Sequence, residues 1–245
     1  SIMPQDEFDQ FKKQMQVMIE SMRDKPDALA QNAITQHFNT YPKGDPRYEY
    51  SLDESLEQLN KLTVDQVRAF YKEFGGTSRG EISIVGDFDP KAVEKIIRDD
   101  YAKYVSKAHY APVVTEYRPV KATRVVIDTP DKENAIIVAR SVFPINDTAP
   151  DAPALTVANW ILGGGTGLSN RLIERLRQKE GLSYGAGSHV RIPAKGDNGS
   201  FVFRAIVAPQ NMLQAEASAR DVIAKAIKDG FTDQEVEEAK KGLLQ

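Results

Sequence analysis

Residues 171–185 read RLIERLRQKEGLSYG and carry the clearest structural signal in the chain. The first half predicts a basic helix, Gly181 ends it, and a strand begins near Tyr184. This order places the guanidinium of Arg177 and the phenol of Tyr184 on adjoining elements. Such a pair can donate hydrogen bonds to a carbonyl oxygen or a developing oxyanion. The alternative is structural, because basic residues commonly complement a helix C-terminus and tyrosines commonly lie half-buried in strands.

Helices and strands alternate on both sides of this stretch. Strands are predicted over residues 81–85, 125–127, 135–142, 182–192 and 201–207. Apolar periodicity and caps predict helices over residues 8–22, 27–38, 90–103, 151–162, 169–178 and 211–228, with capping boxes at Ser51/Glu54, Thr63/Gln66 and Thr232/Glu235 opening three more. This mixture predicts an α+β fold of α/β layers with largely antiparallel sheets and helices on one face.

The segment 108–121 is the best candidate for a linker, since it holds two prolines and little periodicity. We therefore predict that residues 1–107 form the C-terminal part of one α/β domain. Residues 122–245 are predicted to form most of the next. The chain begins just before one amphipathic helix and stops inside another, so we expect a fragment of a longer protein.

Composition excludes several classes of function. Hydrophobic residues make up 41% of the 245 residues and charged residues 27%, as in ordinary globular proteins. The formal net charge is −3 with acids and bases mixed, so no nucleic-acid partner is expected. We expect no transmembrane helix, because no apolar run reaches about 18 residues. The absence of cysteine excludes disulfides, thiolate metal sites and a cysteine nucleophile.

Neither a metal site nor a phosphate loop is predicted. The three histidines, His37, His109 and His189, are far apart, and neither H-E-x-x-H nor H-x-x-E-H occurs. The glycine-rich run 163–167 follows a helix and lacks both the P-loop and the dinucleotide pattern. It predicts a turn, although glycines also permit close approach by a peptide backbone.

Several segments resemble the pitrilysin/insulinase family of zinc metallopeptidases, which includes mitochondrial processing peptidase and its bacterial relatives. The resemblance starts from Gly163, Gly164 and Gly165, continues through residues 169–172, and is most specific over 176–184. It extends to residues 62–71, 84–89 and 229–240, in the family's order. The match therefore covers nearly the whole chain.

The resemblance implies the LuxS/mitochondrial-processing-peptidase-like metallohydrolase fold, here as two truncated sandwich domains. Family members are clam-shells whose first half carries the H-x-x-E-H zinc helix and a distant glutamate. Their second half usually lacks zinc and supplies an arginine–tyrosine pair, which Arg177 and Tyr184 match. That pair would hold the substrate carbonyl and stabilise the tetrahedral intermediate, with the three glycines 163–165 lining the substrate cleft.

The resemblance thus implies the non-catalytic, substrate-binding portion of a bacterial zinc metalloendopeptidase, inactive alone. The cofactor of the full-length enzyme would be zinc, with none held in this fragment. Its partners would be the catalytic half, on the same or a separate chain, and peptide substrates. Glu20 stands where a catalytic half has its distant zinc ligand, but no histidine pair precedes it. Similar bacterial proteins suggest the periplasm, and the alternative is a purely structural or peptide-binding subunit.

Overall fold

The computed structural model describes residues 3–165 and 170–244. Its helices and strands follow in chain order. The helices are α1 Gln5–Met22, α2 Pro26–His37, α3 Leu52–Lys61, α4 Val64–Phe74, α5 Pro90–Tyr101, α6 Ala152–Asn159, α7 Arg171–Ile173, α8 Met212–Asp229 and α9 Asp233–Leu243. Residues Trp160–Gly164 and Glu174–Lys179 are π-helical, and the strands are β1 Ala135–Pro144, β2 Ser183–Arg191 and β3 Asn198–Val207. None of the helices in the described ranges is long and apolar enough to cross a membrane.

Local chemistry explains where the helices begin. Two of the predicted capping boxes are confirmed: the hydroxyl of Thr63 accepts from the backbone N–H of Gln66, and Thr232 does the same for Glu235. In each case the third-position side chain returns a bond to the cap. Pro90 opens α5 behind Asp89, whose carboxylate accepts from the first N–H groups of the helix.

The sheet is antiparallel, with strand order β1-β3-β2. β1 pairs with β3 from Ala135 opposite Val207 to Pro144 opposite Asn198. β2 pairs with the other edge of β3 and places His189 opposite Val202. The mixture of helices and antiparallel sheet confirms the predicted fold class.

One face of this sheet packs on α8. Side chains alternate along β3, so Phe203, Ala205 and Val207 point to the same face and are all nearly inaccessible. α8 meets them with small residues at helical spacing, which lets helix and sheet approach closely. The core on this face comprises Leu162, Leu172, Leu176, Leu182, Ala186, Phe203, Ala205, Val207, Ala215, Ala219, Val222 and Ala226.

The opposite face of the sheet carries arginines and lies against α2. Arg204 of β3 forms an ion pair with Asp27 of α2 at 2.9 Å. Arg140 of β1 stacks on Phe38, the residue that ends α2, with its guanidinium carbon 4.9 Å from the ring centroid. The helix therefore covers this face mainly at β1.

The chain divides into two compact units. One comprises the described residues up to Glu20 together with Asp53–Val113. The other comprises Ser21–Leu52 and the described residues from Val114 onward, and it contains the sheet. The domain bounds 1–107 and 122–245 remain a prediction about the domains of the longer protein.

Within the sheet-bearing unit, Tyr41 joins two loops that are distant in sequence. Its ring lies between Arg47 and Arg118, each with its guanidinium carbon 4.1 Å from the centroid. Its hydroxyl accepts from the backbone N–H of Glu116 at 3.1 Å, and the side chain is only 7% exposed. Asp45 pairs with Arg47 at 2.7 Å, and this bond lowers the pKa of Asp45 to about 2.

The predicted strands at 81–85 and 125–127 are wrong for the described chain. Both segments lack strand pairing, and their apolar side chains are solvent-exposed: Val85 is 96% exposed and Val125 is 62% exposed. β-branched composition favours an extended backbone, but a strand also needs a neighbour to satisfy its N–H and C=O groups. Among the described residues no segment supplies that neighbour.

Candidate functional site

The helical half of the 171–185 segment fixes the position of Arg177. The buried side chain of Asn170 caps the helix by accepting from the backbone N–H of Ile173 at 2.9 Å. Leu172 and Leu176 point into the core with no exposed surface. Arg177 follows Leu176 in the π-helical turn and is therefore directed to solvent, where it is exposed.

A tight turn joins this helix to β2. Gly181 has φ +64°, a conformation that glycine adopts without strain. The N–H of Leu182 then donates to the carbonyl of Leu176 at 2.8 Å, which ties the first strand residues to the helix. Glu180 anchors the turn, since Ser218 of α8 and Arg175 both hydrogen-bond to its carboxylate and lower its pKa.

Tyr184 occupies a β-bulge at the start of β2. Ser183 pairs with Val207, and Gly185 pairs with Ile206. A step of two residues along β2 is therefore matched by a step of only one residue along β3. Tyr184 is the extra residue, and its side chain is 65% exposed. Bulges of this kind redirect a side chain without breaking the sheet.

The structure therefore brings the helical segment of Arg177 against the strand of Tyr184, with both side chains exposed. Within the described residues neither side chain forms a hydrogen bond or an ion pair. An arginine offers a planar fork of donors and a tyrosine offers one hydroxyl donor. Five N–H groups and one O–H group are thus available to an oxygen acceptor at this edge of the sheet.

The glycines at the end of the preceding helix have a packing role. Gly163 is buried, and a Cβ at this position would lie 2.6 Å from the backbone nitrogen of Ser188 and 2.7 Å from Leu172. Gly164 lies beside the side chain of Asn159, and Gly165 lies over the indole of Trp160. Thr166 and Gly167 of the glycine-rich run, and Ser169 of the predicted helix, fall outside the described residues.

Arg171 holds the start of this helix to α9. It donates to both carboxylate oxygens of Glu235, at 2.7 and 2.8 Å, and lies 4.6 Å from the ring centroid of Phe231. The bond from Arg171, followed by those from Thr232, lowers the pKa of Glu235 to about 2. Glu235 thus serves two elements, as a cap for α9 and as an anchor for α7.

The residues present do not fit a zinc ion. Over residues 3–165 and 170–244 no group of three or more His, Asp or Glu side chains could hold a metal. His37 is bonded to the carbonyl of Lys121, His189 is exposed on β2, and Glu20 is exposed on α1. We therefore derive no chemical step from a metal within this chain.

Sequence reasoning missed Arg140. This arginine lies inside a strand that was predicted for its apolar residues, and it is half-buried. Its Nε is buried without a hydrogen-bond partner. A charged residue in the middle of an otherwise apolar strand was the available signal.

Comparison with known proteins identifies the family. The model of the peptidase M16 inactive domain matches residues 61–243. An uncharacterized zinc protease from Mycobacterium bovis is 24% identical over 222 residues, which are 90% of this chain and 48% of that protein. A non-peptidase homolog from Helicobacter pylori is 23% identical and matches 77% of this chain and 42% of its own length. The chain spans about half the length of the first of these relatives.

Solved structures agree with this assignment. A peptidase M16 inactive domain from Pseudomonas fluorescens superposes with a TM-score of 0.85 at 25% identity, over 98% of this chain and 56% of that one. Pitrilysin superposes with a TM-score of 0.55 at 17% identity, over 94% of this chain and 24% of that one. The second likeness concerns the fold alone.

Proposed function

Because the chain belongs to the family of peptidase M16 inactive domains, we propose that it is the non-catalytic, substrate-contacting portion of a zinc metalloendopeptidase. Relatives described as zinc proteases, such as that of Mycobacterium bovis, are about twice as long as the matched region. The complete enzyme would hold its zinc outside this chain, in a catalytic half on the same or a separate polypeptide. Peptides would be its substrates.

The exposed, unpaired state of Arg177 and Tyr184 is the observation that carries this proposal. Long arginine and tyrosine side chains usually find a partner or pack, as Arg171 and Tyr41 do here. Arg177 and Tyr184 instead present their donors from two rigid elements joined by the Leu182–Leu176 bond. Donors whose backbone positions are fixed before the substrate arrives need less reorganisation to reach a developing oxyanion.

Substitution of the pair tests this role. In the complete enzyme, Arg177→Ala or Tyr184→Phe should lower kcat for peptide hydrolysis on the order of 10²–10³-fold, as loss of an oxyanion donor does. Because both side chains are exposed and unpaired, the thermal midpoint should stay within about 1 °C of the unsubstituted protein.

Arg220→Ala is the matched control, since Arg220 is an exposed arginine on α8 whose side chain is 75% accessible. It should leave kcat unchanged. Wild-type kinetics in both Arg177→Ala and Tyr184→Phe would end the proposed role.

A structural or peptide-binding subunit is the second candidate. The relative from Helicobacter pylori is described as a non-peptidase homolog, so the same fold occurs in a protein named for lacking the activity. Under this alternative Arg177 and Tyr184 contribute nothing to catalysis, and because both side chains are exposed and unpaired among the described residues they contribute little to folding. The double variant would then keep its thermal midpoint, and hydrolysis by the partner would continue at the normal rate.

A further inference from the structure

Arg140 is a buried donor without an acceptor. It lies in the middle of β1, and its Nε is shielded from solvent with no hydrogen-bond partner among the described residues. The guanidinium is stacked on Phe38 at 4.9 Å, which restrains its plane. A buried N–H left unpaired is unfavourable, and native structures contain few of them.

Most other partly buried arginines of this chain are matched to a carboxylate, and Arg118 donates to the backbone carbonyl of Thr40 at 3.1 Å. Arg47 pairs with Asp45 at 2.7 Å, and Arg171 pairs with Glu235 at 2.7 Å. Arg175 pairs with Glu180. Burial of a guanidinium is offset in each case by charge-assisted hydrogen bonds. Arg140 lacks this compensation.

The surroundings of Arg140 are electropositive. The register places His189 of β2 in the same row, because both residues face Val202 of β3. Arg191 follows on β2. Burial, and after it the charge of Arg191, lowers the pKa of Arg140, while Glu49 opposes that shift. α2 covers this face mainly at β1, whereas His189 and Arg191 on β2 are both exposed, so a ligand can approach Arg140 from the β2 side.

A further arginine on this face, Arg204 of β3, is already bonded to Asp27 of α2 at 2.9 Å. Glu49 is exposed and forms no ion pair with Arg140 in the described part of the chain, although its charge acts on Arg140 from a distance. A carboxylate from outside would therefore meet two arginines, of which one has a buried and unused Nε.

We propose that Arg140, with Arg191 and His189 at its rim, binds a carboxylate of a bound peptide. The two oxygens of a carboxylate match Nε–H and a terminal N–H of one guanidinium side by side. Phe38 holds the guanidinium ready for this geometry. The carboxylate comes either from the peptide's C-terminus or from an acidic side chain.

This site deepens the proposed function by adding a second contact to the peptide. Binding at this site can be tested without measuring catalysis. His189 follows Tyr184 by five residues on β2, about 17 Å at the usual rise per residue. An extended peptide of about six residues would span that distance. The binding measurement below has no catalytic readout, so Tyr184→Phe should leave it unchanged.

The test follows the Arg140 Nε–H signal in nitrogen–proton NMR spectra of the purified chain. The probe is an N-acetylated hexapeptide of alanine and phenylalanine, with either a free C-terminal carboxylate or a C-terminal amide. The free acid should shift this signal and bind at least 10-fold more tightly than the amide, since charged hydrogen bonds are the strong ones. A third peptide, an amide with one alanine replaced by glutamate, separates the two carboxylate sources. Equal binding of acid and plain amide, or no shift with any peptide, overturns the proposal.

Variants separate binding from folding. Arg140→Met and Arg191→Gln should each weaken the free-acid peptide by about 10-fold or more, and Arg220→Gln on α8 should not. Arg140→Met should melt no lower than the unsubstituted chain, because it removes a buried, unpaired charge. Retained affinity in Arg140→Met contradicts the site. A second result would also contradict the site. If the Nε–H of Arg140 already shows the chemical shift of a hydrogen-bonded group in the free chain, and this shift changes in Glu49→Gln, then Glu49 is its partner.

Discussion

At the scale of single residues, Gly163 shows how closely the helix before the site approaches β2. The missing Cβ leaves room for the backbone of Ser188 and for the side chain of Leu172. The hydroxyl of Ser188 in turn bonds to Asn159 at 2.8 Å, so the helix end and the strand are locked at this point. Any side chain here must push the two elements apart.

Gly163→Ala should therefore destabilise the chain by about 1–3 kcal/mol, the usual cost of overpacking a core. Gly185→Ala is a suitable control. Gly185 lies on β2, the strand that Gly163 approaches, and a Cβ at Gly185 would meet nothing within 4 Å. Denaturant unfolding of both variants measures the difference. Equal stability of the two would show that the helix end moves freely to make room.

The sequence predicted the elements that carry Arg177 and Tyr184, because a basic helix, a glycine stop and a strand follow one another directly; the binding role of the two residues stays a prediction. The sequence did not reveal that Tyr184 is the extra residue of a bulge. That feature depends on the register with β3, which lies more than a dozen residues further along the chain. Arg140 escaped prediction for a similar reason, since only the fold shows that its Nε has no acceptor.

At the scale of elements, Glu235 connects the start of α7 to the start of α9. Its pKa is held at about 2, first by the bond from Arg171 and then by those from Thr232. A carboxyl group whose pKa is lower in the folded state stabilises the fold above its unfolded value near 4.5. That stabilisation is lost as the pH falls from about 4.5 to about 2.

Glu235→Gln should lower the free energy of unfolding at pH 7 on the order of 2 kcal/mol, with the gap to the unsubstituted chain narrowing below pH 4.5. Glu237→Gln on the same helix is the control, since its pair with Lys240 is exposed and should contribute little. Thermal unfolding across pH 7 to 3 provides the comparison. A gap that stays constant with pH would mean that the Arg171 bond does not act through charge.

Periodicity and caps predicted the helices well because they are local signals. The strands at 135–142, 182–192 and 201–207 were also confirmed, since each finds a neighbour within the described chain. The segments 81–85 and 125–127 have the same apolar character and no such neighbour. Strand formation thus depended on a partner that composition does not reveal.

At the scale of the whole molecule, Tyr41 is the clearest long-range connection within the sheet-bearing unit. The two arginines on its ring come from positions 47 and 118, and its hydroxyl bonds to residue 116. Tyr41→Ala should cost about 3 kcal/mol in unfolding free energy, as removal of a buried aromatic ring does. Tyr41→Phe keeps the ring and should cost only about 1 kcal/mol for the lost hydrogen bond. If both variants lose the same amount, the hydroxyl rather than the stacked ring holds the two loops together.

The sheet-bearing unit is discontinuous along the chain, since residues 53–113 separate its two parts. A ribosome adds about 5–20 residues per second, so Ser21–Leu52 emerges on the order of ten seconds before β3 is complete. During that interval Phe38 has not yet met Arg140, and Tyr41 has met Arg47 but not Arg118. Synthesis from the N-terminus therefore exposes Ser21–Leu52 before the rest of this unit exists, so a holdase chaperone that shields this segment would raise the folding yield.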